Sequence, residues 1–399
     1  MATNSFQKAL STEALLKAWK HLYSKTSKRS KDTVGIDGIS INDYEIHHKA
    51  NIAKLARELQ NEEFRFKSLN PHFVPKPQKG KFRLISVPTV DDRIVQRALV
   101  EFLSTKYLKK LDNSISYGFV PGRSVIEAST RACQLRAESP WILKTDITSF
   151  FDMIPRDILQ ATIRKEIKDT SLHEILDMAV NCEVDCTKPR TTKRLTELGI
   201  KTGLGVRQGM PLSPFFANLL LYPLDKRLVK LKIKAVRYAD DLVFFANSKS
   251  SCEQILTNYQ IEINKLGLTL PKLIPGSKSV IYPPHKAAEF LGLELAKSHV
   301  GYQLRLSNEQ REKIKSEILQ LGSVKELISR RITLRTLGAH LSAKVSGYFH
   351  AYAACTNAHE LENDLQDIEQ KTLRNLYQKE LGIKVNSVNA EVRRFLNLR

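Results

Sequence analysis

Tyr238-Ala239-Asp240-Asp241 stands between two short apolar runs, Ala235-Val236 before it and Leu242-Val243-Phe244-Phe245-Ala246 after it. Runs of this kind broken by a short polar step predict a β-hairpin, here with two adjacent carboxylates at its tip. Two hard oxygen ligands on a tight turn make half of a Mg2+ site, and charge compensation for two ions asks for a further carboxylate from another strand. Asp146 supplies it, at the end of the strand-like run Trp141-Ile142-Leu143-Lys144-Thr145. The plainer alternative for Asp240-Asp241 alone is ordinary turn chemistry. Together, Asp146, Asp240 and Asp241 would hold two ions roughly 3.5–4 Å apart, one activating a primer 3′-hydroxyl and one on nucleotide phosphates. The backbone carbonyl of Ile147 is a further candidate ligand.

Outward from the hairpin, the order of short motifs resembles the reverse transcriptases of the bacterial, group II intron-like kind. Gly35-Ile36-Asp37-Gly38-Ile39 resembles the N-terminal extension motif of that group. The stretch from Asn70-Pro71 through Lys81-Phe82-Arg83-Leu84-Ile85 to Gln96 resembles its first fingers motif. Ser116-Tyr117-Gly118-Phe119-Val120-Pro121-Gly122-Arg123-Ser124 resembles the second. Asp146-Ile147-Thr148-Ser149-Phe150-Phe151-Asp152 resembles the first catalytic motif. Gln208-Gly209-Met210-Pro211-Leu212-Ser213-Pro214, running on to Asn218 and Asp225, resembles the template-and-nucleotide motif, and Tyr238 to Asp241 the second catalytic motif. Lys278 falls at that family's next lysine, and Phe290-Leu291-Gly292 at its primer grip. Val206-Arg207 replaces the usual Thr-Pro, and Val120 replaces a usual arginine; catalysis is expected to survive both. Residues 181–202 are long, polar and basic for their place and are expected to be an insertion.

The resemblance implies an α+β right-hand polymerase with fingers, a ferredoxin-like palm and a helical thumb. The expected lobes are 1–140 (N-terminal extension and fingers), 141–300 (palm) and 301–399 (thumb). In the palm, strand, helix, linker, helix, hairpin, helix and strand follow one another as in a split βαβ unit. In the thumb, Ser307 and Gln310 predict a capping box before Ile314, Ile318 and Leu321. Leu361, Leu365, Ile368, Thr372 and Leu376 form another helical stripe, closed by Gly382. Amphipathic helices are expected near residues 14–23 and 52–60, and a hairpin around the basic stretch 76–83.

The implied reaction is RNA-directed DNA synthesis. Asp146, Asp240 and Asp241 would hold Mg2+, and Lys76, Lys81 and Arg83 would contact the triphosphate of a dNTP. Lys278 would assist protonation of pyrophosphate, and Gln208 and Gly209 would shape the nucleotide and template side of the pocket. Phe151, five residues beyond Asp146, presents a ring where a ribose 2′-oxygen would lie. Deoxynucleotides are therefore expected to be preferred; RNA-dependent RNA polymerases, whose palm is similar, usually carry a hydrogen-bonding acid there.

Bulk composition agrees with such partners. The chain has 399 residues and is 42% hydrophobic, enough for a sizeable core. Its 63 Lys and Arg against 42 Asp and Glu give a net charge of +21, which implies a polyanionic partner and salt-dependent binding to a phosphate backbone. The expected partners are an RNA template, the DNA product and dNTPs, with a homo-oligomer or a second protein left open.

The five cysteines are scattered, and Cys182-x3-Cys186 lacks a second ligand pair, so neither disulfides nor zinc is expected. No signal peptide is evident and no apolar run nears ~20 residues, so no membrane partner and a cytoplasmic location are expected. Three readings stay open: a free-standing enzyme copying a bound noncoding RNA in antiviral (phage) defence, an intron-encoded maturase, and an RNA-binding protein with a relic site. The absence of an endonuclease extension after the thumb is expected to weigh against the second, and the intact carboxylates against the third.

Overall fold

The computed structural model describes residues 4–76 and 80–398. Its strands are β1 (Asn70–Pro75), β2 (Phe82–Val87), β3 (Trp141–Asp146), β4 (Ala235–Tyr238), β5 (Asp241–Ala246), β6 (Val280–Tyr282), β7 (Ala288–Phe290), β8 (Leu293–Ser298) and β9 (Gly301–Arg305). They form three sheets: the hairpin β1-β2, a four-stranded sheet in the order β4-β5-β3-β6, and a three-stranded sheet in the order β7-β8-β9. In the four-stranded sheet the first strand in sequence lies between the third and the fourth. With the helices Ser213–Lys230 before β4 and Lys249–Lys265 before β6, this is the ferredoxin-like order that the sequence predicts.

Packing divides the chain into two compact units. One comprises residues 1–124 and 143–281, the other 125–142 and 282–399. The first unit therefore holds the hairpin β1-β2 together with β4 and β5, and the second holds the sheet β7-β8-β9 together with the helices that follow it. The reason lies partly in Arg136 on the helix Val125–Glu138. Its guanidinium is fully buried, donates to the carbonyls of Pro283 (3.0 Å) and Lys286 (2.6 Å), and stacks 4.4 Å from the Tyr302 ring centre. A buried guanidinium has to be satisfied by many acceptors, and here most of them, the carbonyls of Pro283, Lys286 and Leu295, come from this sheet and its lead-in.

In the first unit the expected N-terminal helices occur as Thr12–Lys25 and His48–Gln60, burying Leu15, Ala18 and Trp19, and Ile52, Leu55, Ala56 and Leu59. Gly35 lies so close to the start of the helix Val90–Lys106 that a Cβ would come within 2.7 Å of the Thr89 Cα. The palm strands are near-continuously apolar and buried on both faces, with Leu143, Val236, Leu242, Val243 and Phe244 all at most 1% exposed.

In the second unit Ser307 caps the helix Asn308–Leu319, its Oγ accepting from the Gln310 amide (3.1 Å). The reciprocal half of the expected capping box is replaced: Gln310 Nε2 donates instead to the Tyr352 hydroxyl (3.1 Å) on the helix Leu334–Tyr352. Ile314, Ile318 and Leu321 are buried, as are Leu361, Leu365, Thr372 and Leu376, while Ile368 is only partly so. Among the described residues no helix is long and apolar enough to cross a membrane.

Candidate active site

The hairpin β4-β5 pairs Tyr238 with Asp241 and turns through Ala239 and Asp240. Ala239 takes a left-handed φ of +57°, a conformation that an alanine adopts only where its surroundings impose it. Those surroundings are visible. The chain at residues 115–117 runs beside β4, with Tyr117 N donating to Arg237 O and Arg237 N to Ile115 O, both at 2.8 Å. Gly118 then lies directly on the turn, where a Cβ would fall 2.3 Å from Ala239 N.

Beneath the turn is a buried polar network centred on Arg237, which is 1% exposed. Its Nε and Nη2 donate to the two oxygens of Asp225 (2.9 and 2.5 Å), and Nη1 donates to Asn218 Oδ1 and to the Ala239 carbonyl (both 3.0 Å). Nη2 also donates to Ser116 Oγ (2.8 Å), and Asn218 Nδ2 reaches the Gly118 carbonyl (2.8 Å). Asn218 and Asp225 of the template-and-nucleotide motif thus support the hairpin from behind. Arg237 escapes a motif-based reading; the available signal is a charge inside a strand whose neighbours Ala235 and Val236 are buried.

Asp146 ends β3 beside the tip. The amide of the next residue, Ile147, donates to the Asp240 carbonyl (3.2 Å), so the end of β3 and the hairpin turn are joined through the backbone. Asp146 is 5% exposed, and its Oδ1 has no hydrogen-bond partner among the described residues. The Lys278 ammonium, just before β6, bonds its Oδ2 and is held above its ordinary pKa by that contact. Adjacent side chains lock these strands together, Thr145 Oγ1 lying 2.7 Å from Ser279 Oγ.

Burial pushes the carboxyls of Asp240 and Asp241 up. For Asp240 the charge of Asp146 adds to this, and Lys278 and Arg83 oppose it; for Asp241 the charge of Asp240 adds and Lys144 opposes. Three acids crowded together with an orphaned buried oxygen form a donor set of hard oxygens that suits a divalent cation. Among the described residues, however, no three His, Cys, Asp or Glu side chains already stand in a metal-holding arrangement, and a lysine occupies one carboxylate.

Lys76 and Lys81 flank the β1-β2 loop, whose residues 77–79 lie outside the described ones, and Lys76 N donates to Lys81 O (2.8 Å). Both side chains are exposed, as is Arg83. The field of Arg83 reaches Asp240, and that of Lys76 reaches Asp152. Phe151 is half-buried in the short helix Phe150–Met153, its ring 5.5 Å from that of Phe150. Gln208 accepts from Ser86 N (2.7 Å) through its carbonyl, and Gly209, at φ +111°, leaves a Cβ no more than 2.4 Å from Ser86 O. The structure therefore gathers Asp146, Ile147, Asp240, Asp241 and Lys278 at one point, and places Gln208 and Gly209 against β2. Cys182 is buried, its thiol pushed up to about 12 by desolvation, and Cys186 is exposed.

The residues 181–202 do not form a detached loop. Leu195, on the helix Pro189–Glu197, clusters with Val184 and Leu84, and Phe73, Leu198 and Ile200 pack around them. Arg194 stacks over the rings of Phe73 (5.1 Å) and Phe82 (5.3 Å). This segment is thus a support for the β1-β2 hairpin, which its polar composition conceals.

Residues 74–295 match the family model described as reverse transcriptase (RNA-dependent DNA polymerase). Among curated relatives, protein YkfC of Escherichia coli is 28% identical over 216 residues, covering 51% of this chain and 51% of YkfC. The group II intron-encoded protein LtrA of Lactococcus lactis subsp. cremoris is 25% identical over 235 residues, covering 57% of this chain and 35% of LtrA. The retron Ec83 reverse transcriptase of Escherichia coli is 26% identical over 183 residues, covering 44% of this chain and 52% of the retron enzyme. The match spans about half or less of the length of these relatives. With the α+β right-hand polymerase fold expected from its motifs, and a family model that covers more than half of its length, the chain belongs to the reverse transcriptase (RNA-dependent DNA polymerase) family, on its bacterial, group II intron-like side.

Proposed function

We propose that this chain is an RNA-directed DNA polymerase that extends a primer 3′-hydroxyl with dNTPs. The observation that carries the reading is the junction of Asp146 with the Asp240-Asp241 turn through the Ile147–Asp240 backbone bond. Asp146, Asp240, Asp241 and the Ile147 carbonyl would hold a pair of Mg2+ ions, which when bound neutralise charge on the transferring phosphoryl group and activate the primer hydroxyl.

The protein's own groups do the rest by position and charge. Lys278, which bonds Asp146, would balance the carboxylates and donate a proton toward pyrophosphate. Arg83, whose charge already acts on Asp240, joins Lys76 and Lys81 in contacting the triphosphate. Phe151 faces the 2′ position of the sugar, and Gln208 with Gly209 shapes the pocket on the template side. The lobes 1–140, 141–300 and 301–399 serve as fingers, palm and thumb in this reading.

In the cell the enzyme would copy part of a bound noncoding RNA as a cytoplasmic ribonucleoprotein in antiviral (phage) defence. The net charge of +21 supports RNA binding, and the similarity to a retron reverse transcriptase supports a free-standing role. A maturase is the second reading, favoured by the similarity to an intron-encoded protein over 57% of the chain. Purification from the native host with sequencing of bound RNA and cDNA separates the two. One small RNA with cDNA from a fixed internal window supports the first, and an intron lariat supports the second. Absence of any primer extension on RNA templates with Mg2+ and dNTPs would overturn the polymerase reading itself.

A further inference from the structure

Glu183, in the segment just before the helix Pro189–Glu197, is the meeting point of three donors. Its Oε1 accepts from Arg156 Nη1 and from the Gly203 amide, and its Oε2 from Arg207 Nη2, all at 2.7 Å. Arg156 and Arg207 are 7% and 2% exposed, so one carboxylate bonds two buried guanidinium groups, while the charge of Arg207 also acts on Asp152. Arg156 Nε also donates to the Gly205 carbonyl (2.9 Å), and Arg207 Nη2 to the Lys201 carbonyl (2.8 Å). Nε and Nη1 of Arg207 have no partner among the described residues, which leaves Glu183 as the only carboxylate bonded to this guanidinium there.

The strip gripped by these arginines, residues 203–209, passes between the fingers hairpin and the residue proposed to face the sugar. On one side Val206 N donates to the Phe151 carbonyl and Gly205 N to the Ile154 carbonyl, both at 2.8 Å. A Cβ on Gly205 would come within 2.5 Å of the Asp152 carbonyl oxygen, so the strip lies in direct contact with the Phe151 turn. On the other side Gln208 accepts from Ser86 N on β2. The backbone of Glu183 is bonded to the start of the same hairpin, Leu69 N donating to Glu183 O (2.8 Å).

We propose that Glu183 is a positioning residue for sugar selection: through Arg156 and Arg207 it fixes the Gly205–Gln208 backbone against Phe151, and so sets how tightly the Phe151 ring closes on the 2′ position of the nucleotide. The inference rests on the reading of Phe151 as the residue that faces that position. Its physical basis is that discrimination by a ring wall depends on tenths of an ångström, and the wall's backbone has the strip as its neighbour.

The test measures kcat/KM for a dNTP and for the matching rNTP on one primer-template, with thermal unfolding recorded for each protein. Glu183→Gln, which keeps the shape but removes the charge that holds both arginines, is expected to lower the dNTP-to-rNTP ratio roughly tenfold. In a Phe151→Ala background the same substitution is expected to leave the ratio where Phe151→Ala alone puts it. A Glu183→Gln protein that slows both sugars equally, while Phe151→Ala still shifts the ratio, overturns the inference and leaves the Phe151 reading intact. A Phe151→Ala protein with an unchanged ratio removes both. If Glu183→Gln is too unstable to assay, Arg207→Lys is held to the same outcomes, because a single ammonium cannot span Glu183 and the Lys201 carbonyl as the guanidinium does.

Discussion

Arg237 and Asp225 form a two-pronged ion pair, 2.9 and 2.5 Å, in which each side chain is 1% exposed. Its place directly under the Asp240 turn makes it the foundation of the candidate site, since the same guanidinium holds the Ala239 carbonyl. Removing one partner of such a pair leaves an uncompensated buried charge. Asp225→Ala is expected to destabilise the protein by about 3–5 kcal/mol. Urea unfolding followed by circular dichroism measures this, and a loss below about 1 kcal/mol would show the pair to be dispensable.

Gly118 presses on the hairpin turn, and the atoms a new Cβ would meet are backbone: Ala239 N at 2.3 Å and Tyr238 C at 2.9 Å. Backbone cannot swing aside as a flexible side chain can, so Gly118→Ala must displace the turn that carries Asp240. Primer extension is expected to fall at least roughly tenfold, with a smaller change in melting temperature, because the misplacement is local. A rate within about twofold of the parent would mean that the turn tolerates the shift.

Asp169 ties the N-terminal helix Ser5–Ala9 to the rest of its unit, accepting from Ser5 Oγ, Lys106 Nζ and Tyr107 OH, each at 2.5 Å. Burial raises its carboxyl, and the bonds from Lys106, Ser5 and Tyr107 outweigh that and hold it at about 2, below its ordinary 3.8. A depressed carboxyl stabilises the fold fully above its unfolded value and loses that contribution as pH falls through the folded one. Relative to Asp169→Asn, the native protein should hold an advantage of about 2 kcal/mol at pH 6 that is roughly halved by pH 3. Denaturant titrations across that range check it; an advantage that stays constant down to pH 3 would contradict the assignment.

How much of this was legible from the sequence depends on how local each interaction is. The Asp240-Asp241 hairpin, the strand before Asp146 and the Ser307 cap were readable because alternation, turn chemistry and capping act over a few residues. The partner of Gln310 is not legible in the same way, since Tyr352 lies 42 residues away. The grip of Lys278 on Asp146 spans 132 residues and follows from the adjacency of β3 and β6, which no local pattern encodes. The segment 181–202 read as a polar insertion because its apolar anchors are few and widely spaced. Leu195, Leu198 and Ile200 meet Phe73 and Leu84 only once the sheet hairpin is built. The buried arginines 156, 207 and 237 likewise look like surface charge until their acceptors are in place.

The central claim is that Asp240 and Asp241 organise the chemistry while the basic surface supplies the affinity for nucleic acid. It is tested most directly by extension of an RNA-templated primer with dNTPs and Mg2+, comparing the parent with Asp240→Ala/Asp241→Ala and measuring RNA binding of both at several salt concentrations. The predicted result is abolished DNA synthesis with RNA affinity and its salt dependence largely unchanged, because the net charge of +21 is altered little by the loss of two acids. Undiminished synthesis by the double variant would contradict the account and place the reaction elsewhere.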